Sequence, residues 1–298
     1  MSNTIELAKS FVPKLDECYR LASLTSVLDG APELAKQGAN ANELIIPMMS
    51  MDGLADYSRN GGYVQGGVTM TNETVKCNFD RGRRFDVDVM DDLETAGLAF
   101  GRLSAQFIRD KVVPELDAFR FASYCGISGV TKKEETLADG AATVAALSAA
   151  VTAMDDEEVT ATGRYLFITP TLLQGINDMD TTKSKKVLEG FEQVIKVPQR
   201  RFYTAIKQLS GKTGEEAGGY TKATGAANIN FAIVQKDALI QYTKHAAPKI
   251  IAPENNPDAD AYVFGYRMVG IAKAYKNMLS GMYFSCLLYT SPSPRDRG

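Results

Sequence analysis

The period of apolar and polar positions changes several times along the chain, and each change marks an element. Leu7, Phe11, Leu15, Leu21 and Leu24 recur at helical spacing over residues 4–29, interrupted by Pro13, which predicts a broken, peripheral helical arm. A polar stretch, 31–42, leads to Leu44, Ile45, Ile46, Pro47, Met48 and Met49, a strand expected to end at the proline. Five glycines (53, 61, 62, 66 and 67) then punctuate the chain. After them Val75, Cys77 and Phe79 alternate with Lys76, Asn78 and Asp80. Beyond a turn expected at Arg81 and Gly82, Phe85, Val87 and Val89 alternate with Asp86 and Asp88. The pattern predicts a long two- or three-stranded antiparallel arm. Residues 53–67 are too polar to form a core, and an isolated hairpin is marginal in water, so the arm must lie on another subunit or on its own chain's body.

At Asp91 and Asp92 the period lengthens to about 3.6. The aspartates are placed to cap a helix that continues through Leu93, Gly97, Phe100, Leu103, Phe107, Leu116, Phe119 and Tyr124. At ~1.5 Å per residue this spine would run ~48 Å, with Pro114 marking a kink or a break. An Ala-rich helix follows over 141–154. Strands are expected at 165–168, 194–197 and 229–234, with a helix starting at Pro170 and a polar, glycine-rich loop over 210–228. A late strand at 261–272 finds its natural partner at 83–89, so the chain should form discontinuous domains of α+β class.

Composition narrows what such a molecule does. Its 298 residues are 45% hydrophobic, which excludes a disordered chain. Thirty-three Lys and Arg stand against 36 Asp and Glu, a net charge of −3, which argues against a protein built mainly to grip nucleic acid. The first residues lack a basic and apolar leader, and no stretch reaches the roughly 18 apolar residues of a membrane span, so synthesis in a cytoplasm-like compartment is expected. Four scattered cysteines (18, 77, 125 and 286) and one histidine leave no zinc ligand set.

Candidate chemistry is correspondingly thin. His245, in Lys-His-Ala-Ala-Pro, reads as the exit from a helix, where a cation suits the C-terminal dipole. Gly211, Lys212 and Thr213 resemble the end of a phosphate loop, but the loop's first glycine is missing. The acidic run Asp155, Asp156, Glu157 and Glu158 cannot converge on one ion from a single turn and reads as a solvated helix edge. The rival to a structural protein is a soluble α+β enzyme using Asp155, Asp156 and Asp178 or Asp180. A spine, a β arm and an N-terminal arm without a catalytic motif point instead to assembly, because such elements expose surface that only neighbouring copies cover.

The order of elements resembles the tailed-bacteriophage major capsid proteins of the Hong Kong 97 type. The residues that carry the likeness run from Phe79 through Asp88 into Thr95–Phe100, then over 111–120, 234–238 and 262–267, and the likeness covers about residues 4–284. It implies an N-terminal arm at 1–42, an extended loop at 43–82, a peripheral domain at 83–133 and 258–285, and an axial domain at 134–257. It further implies a subunit that forms hexamers and pentamers, closing into an icosahedral head around double-stranded DNA, without cofactor, metal or catalysis. A separate scaffolding protein and a portal would be partners, DNA would be contacted non-specifically, no membrane would be involved, and the location would be the virion. The same fold serves in encapsulins, bacterial compartments that enclose enzymes. Some members crosslink through a Lys near the loop tip, whereas residues 53–75 here contain Arg59 and no Lys. Arg59, Arg81, Arg83 and Arg84, beside Asp80, Asp86 and Asp88, are the expected inter-subunit ion-pair set, acting on register more than affinity.

The end of the chain departs from the family. Residues 286–298 match the read-through of a transposase-type sequencing adapter, which would place the natural end near Ser285. Without that tail, 31 basic residues face 35 acidic ones, a net −4, and three cysteines remain.

Overall fold

The computed structural model describes residues 23–30, 36–37, 43–90 and 105–288. The expected arm at 4–22, the Asp91–Asp92 cap, the spine over 93–103 and the tail over 289–298 lie outside the described residues. In chain order the elements are β1 (Lys36–Gln37), β2 (Glu43–Met51), β3 (Val68–Lys76), β4 (Phe79–Asp88), α1 (Val113–Gly126), β5 (Thr131–Glu134) and α2 (Gly140–Asp156). There follow β6 (Arg164–Ile168), α3 (Pro170–Asp178), α4 (Thr182–Glu189), β7 (Gln193–Lys196), β8 (Ile206–Gln208), β9 (Tyr220–Lys222) and β10 (Ile229–Gln235). Last come β11 (Leu239–Ile251), β12 (Ala261–Ala274) and β13 (Met282–Cys286).

Three sheets and a small hairpin organise the chain. In the arm, β2 and β3 pair antiparallel from Glu43 opposite Lys76 to Met51 opposite Val68. The strand runs through Pro47 rather than ending there, since β1 pairs only with Leu44 and Ile45, and an edge position accepts a residue without an N–H. The second sheet has the order β11-β12-β4, all antiparallel. Its β12–β4 pairing, from Ala261 opposite Asp88 to Gly270 opposite Phe79, is the long-range contact expected from the alternation. No turn occurs at Arg81 and Gly82. The strand is continuous there, and a Cβ on Gly82 would sit 2.8 Å from the Tyr266 carbonyl oxygen, so the glycine serves a close strand approach. His245 lies inside β11, at a register shift, rather than at a helix exit. Pro248 is tolerated because β11 is an edge strand.

The third sheet has the order β5-β13-β10-β6-β7, with β10 antiparallel to both neighbours and the outer pairs parallel. Alternate side chains of its central strands feed two cores. Tyr165, Phe167, Ala232, Val234, Met282 and Phe284 pack with Phe121 and Tyr124 of α1. Leu166, Ile168, Phe231, Ile233 and Tyr283 face the other way, onto Val144, Leu147 and Met154 of α2 and Leu173 and Ile176 of α3. The N-terminal half of α1 uses Val113 and Leu116 against Phe79, Phe264, Tyr266 and Met268 of the second sheet. One helix thus ties both sheets together.

That helix is continuous across Pro114. A π turn, Ile108–Val112, runs into α1, with the Val113 N–H bonded to the Ile108 carbonyl. In a regular helix the proline ring would crowd the Asp110 carbonyl; the wider turn makes room where the proline also lacks an N–H.

Several segments differ from the expected layout. Residues 23–30 are not peripheral: Ser23, Thr25 and Leu28 are buried. Part of the glycine-rich stretch read as a loop belongs to the β8–β9 hairpin, whose connection uses glycines 211, 214, 218 and 219 at positive φ. β13, which runs from Met282 one residue past 285 to Cys286, joins the sheet of the 134–257 segment, and β11, within 134–257, joins the sheet of β4.

Candidate functional site

Eight of the twelve large apolar side chains that stand exposed among the described residues lie on the arm. Residues two apart on one strand share a face with their cross-strand partners, so Met49, Met51, Val68 and Met70 form one patch. They are 59%, 66%, 69% and 64% exposed. Beyond the strands the connecting loop is held by Asp52, whose carboxylate accepts the Gly67 N–H at 2.7 Å. A bridge between Ser58 and Gly62 and the Tyr57–Tyr63 ring pair, with centroids 4.9 Å apart, shape the tip. Leu54, Tyr63 and Val64 are exposed there as well. Nine residues per strand at ~3.4 Å make the hairpin ~30 Å long, with this patch at its loop end.

The charged residues of β4 divide between its two faces. Arg81 and Arg83 share the half-buried face with Phe79, Phe85 and Val87, while Asp80, Arg84, Asp86 and Asp88 are exposed on the other. Among the described residues, each of these six charged groups other than Asp88 and Arg83 has an ion-pair partner in the same chain. Arg81 pairs with Glu115 at 2.8 Å and donates to the Leu209 carbonyl at 2.7 Å. Asp80 takes a two-pronged contact from Arg267 at 2.6 and 2.9 Å, and Arg84 pairs with Asp86 at 2.8 Å. These carboxylates raise the pKa of Arg267 and Arg84 above the ordinary value, chiefly through the hydrogen bonds. Arg83 donates to the Glu216 carbonyl at 2.8 Å, Asp88 accepts the Met90 N–H, and Arg59 is exposed on the arm loop.

A groove of about 1080 Å³, which no sequence motif announced, opens between β4, the helix from Gln106 to Glu115 and the β8–β9 hairpin. Its lining includes seven basic side chains against two carboxylates. The hairpin wall is braced by Lys207 and Glu215 at 2.6 Å. That lysine, helped by the Ser210 N–H, holds the Glu215 carboxyl far below its ordinary range, at about 2. Burial pushes the Tyr220 hydroxyl up to about 12.

A buried polar clasp was equally silent in the sequence. Asp117, fully buried on α1, accepts from Ser23 Oγ at 3.0 Å, Thr25 Oγ1 at 2.7 Å, the Leu24 N–H at 3.1 Å and Arg201 at 3.2 Å. One turn on, Arg120 reaches Thr25 Oγ1 and Asp29, and Gln241 joins Asp29 to the Tyr124 hydroxyl. These bonds anchor 23–30 to the spine.

The carboxylates considered for catalysis do not converge. Asp155 pairs with Arg164 at 2.7 Å, Asp178 accepts from Gln174, and Asp180 pairs with Lys185, while Asp156 is exposed at the end of α2. Among the described residues no group of three or more His, Cys, Asp or Glu is placed to hold a metal ion, and no helix is long and apolar enough to cross a membrane.

No protein-family model matches the sequence, and no curated protein matches it. Solved structures do. A structure of Gordonia phage Cozz matches with a TM-score of 0.59 at 10% identity, covering 90% of this chain and 87% of that one. A virus-like particle from Pyrococcus furiosus matches with a TM-score of 0.59 at 10% identity, covering 94% and 99%. The capsid of the cyanophage P-SCSP1u matches with a TM-score of 0.53 at 12% identity, covering 86% of each chain. The chain therefore has the Hong Kong 97-type capsid-protein fold.

Proposed function

We propose that this protein is the major capsid protein of a tailed phage, a structural subunit that assembles as hexamers and pentamers into an icosahedral head around double-stranded DNA. The observation that carries the reading is the arm, whose Met49, Met51, Val68 and Met70 face is more than half exposed in the single chain. A monomer rarely leaves such a contiguous apolar surface in water, and an extended two-stranded arm is stable only against a neighbour. The fold shared with phage capsids supports the same reading. On it the protein catalyses nothing, resides in the virion, and assembles with a scaffolding protein and a portal, while its mildly acidic walls enclose DNA without binding it tightly. Arg59 and the exposed charges of β4 then set the register between neighbouring subunits.

A second reading is favoured by the likeness to the Pyrococcus furiosus virus-like particle, which spans 99% of that chain: an encapsulin-type compartment shell. Both readings require self-assembly. Size-exclusion chromatography of the expressed chain tests them together, with capsomers or megadalton particles expected and a persistent monomer contradicting both. Genes for a terminase and a portal beside the coding sequence decide for the phage head.

A further inference from the structure

We propose that the acidic turn at residues 155–158 of one copy seats in the basic groove of the next, making a head-to-tail contact between subunits. The inference rests on the reading of the chain as a self-assembling subunit and names one of its interfaces. The groove gathers positive charge in a chain whose net charge is −3. Its two carboxylates are already taken, Glu115 by Arg81 and Asp110 by Arg109. Arg83, Arg200 and Lys222 face no carboxylate among the described residues: Arg83 donates to a backbone carbonyl, and Lys222 to Asn228 Oδ1. Phe85, Phe107, Pro114 and Tyr203 also line the groove, and their apolar surface strengthens any ion pair formed against it.

The complementary element is on the same chain. Asp155, Asp156, Glu157 and Glu158 are all exposed where α2 ends, and Glu158, at φ 58°, turns the chain. Arg164 holds Asp155, so Asp156, Glu157 and Glu158 remain to meet a partner. The two features lie on opposite sides of the five-stranded sheet. α2 packs on the face of Leu166 and Ile168, and α1, whose first turn lines the groove, packs on the face of Tyr165 and Phe167. A turn on one face is kept from the groove of its own chain by the sheet between them. Complementary patches on opposite sides of a subunit make heterologous contacts, which form rings where the rotation between copies closes. A long duplex would meet the acidic remainder of the surface beyond the groove, whereas a short acidic turn meets only the groove.

The test compares four full-length chains by size-exclusion chromatography and electron microscopy: wild type, Arg200→Glu with Lys222→Glu, Asp156→Lys with Glu157→Lys, and all four changes together. Each pair of reversals should lower the assembled fraction by about tenfold or more, since like charges then face each other, and the combination should restore it. Wild-type assembly by either reversed chain, or no recovery in the combination, overturns the contact while leaving the shell reading intact. A wild-type chain that never assembles overturns both. The Asp156→Lys, Glu157→Lys chain is altered only at exposed positions and decides alone if the groove variant does not fold. Duplex DNA is the alternative occupant: a gel shift lost in the groove variant, with assembly unchanged, would overturn the proposal in its favour.

Discussion

Asp117 shows how much one side chain can organise. Its two oxygens hold three consecutive residues, Ser23, Leu24 and Thr25, together with Arg201, in a site with no exposure to water. Asp117→Ala would leave a buried guanidinium contact and several N–H and O–H donors without an acceptor, a loss of about 3 kcal/mol or more. Chemical denaturation measures the loss, and limited proteolysis should cut near residues 23–30 in the variant but not in the parent. An unchanged midpoint would show that the clasp contributes nothing. This clasp was hidden in the sequence because Ser23 and Thr25 read as surface, and because an aspartate on a helix gives no sign that its partners lie more than eighty positions away. Glu215 carries a prediction with a definite sign. Its carboxyl is depressed from 4.5 to about 2, so the contribution of its contacts with Lys207 and Ser210 is present above pH 4.5 and lost as pH falls towards 2. Nuclear magnetic resonance titration should give a midpoint near 2, moving back towards 4.5 in Lys207→Ala; an ordinary midpoint in the parent contradicts the pairing.

At the scale of elements, strict alternation was the most legible signal. Phe79, Phe85 and Val87 marked β4, and the apolar run from Tyr262 onwards marked its partner β12, so their pairing could be read without coordinates. Pro170 likewise marked the start of α3, and the alanine run marked α2. What failed did so for local reasons. Lys-His-Ala-Ala-Pro has little strand propensity, yet edge pairing to β12 holds it in β11. Gly82 looked like a turn and is a site of close strand approach. Pro114 looked like a kink or a break and is absorbed by a π turn. Gly140 is a similar close approach, since an added Cβ would lie 2.7 Å from the Gly175 carbonyl carbon. Gly140→Ala should therefore force α2 and α3 apart and cost about 1–3 kcal/mol, measurable by thermal unfolding, and an unaltered melting temperature would contradict that packing. The arm behaves oppositely. Met51→Lys with Met70→Glu should leave the unfolding of the isolated chain within about 0.5 kcal/mol, because both side chains already meet water, while assembly is lost. Normal particles from that variant would mean that its apolar face is not an interface.

At the scale of the molecule, the chain crosses between its two large sheets more often than a linear division allows. β11 and β12 build on β4, β13 returns to the five-stranded sheet between β5 and β10, and α1 touches both cores. Neither the groove nor the acidic turn could be related from sequence, since their residues come from separate segments and only the fold places them on opposite sides of one sheet. The need for a neighbour was readable from the polar, glycine-rich stretch 53–67, but the strands of the arm were not. β2 and β3 form it, whereas the alternation over 83–89, read as part of its hairpin, belongs to β4 and pairs with β12. The central claim is that the neighbour is another copy of the same chain. Cryo-electron microscopy of the purified, expressed protein tests this most directly. The account predicts closed shells in which the face of Met49, Met51, Val68 and Met70 is covered by an adjacent subunit. Monodisperse monomers, or shells in which that face stays open to solvent, would contradict it.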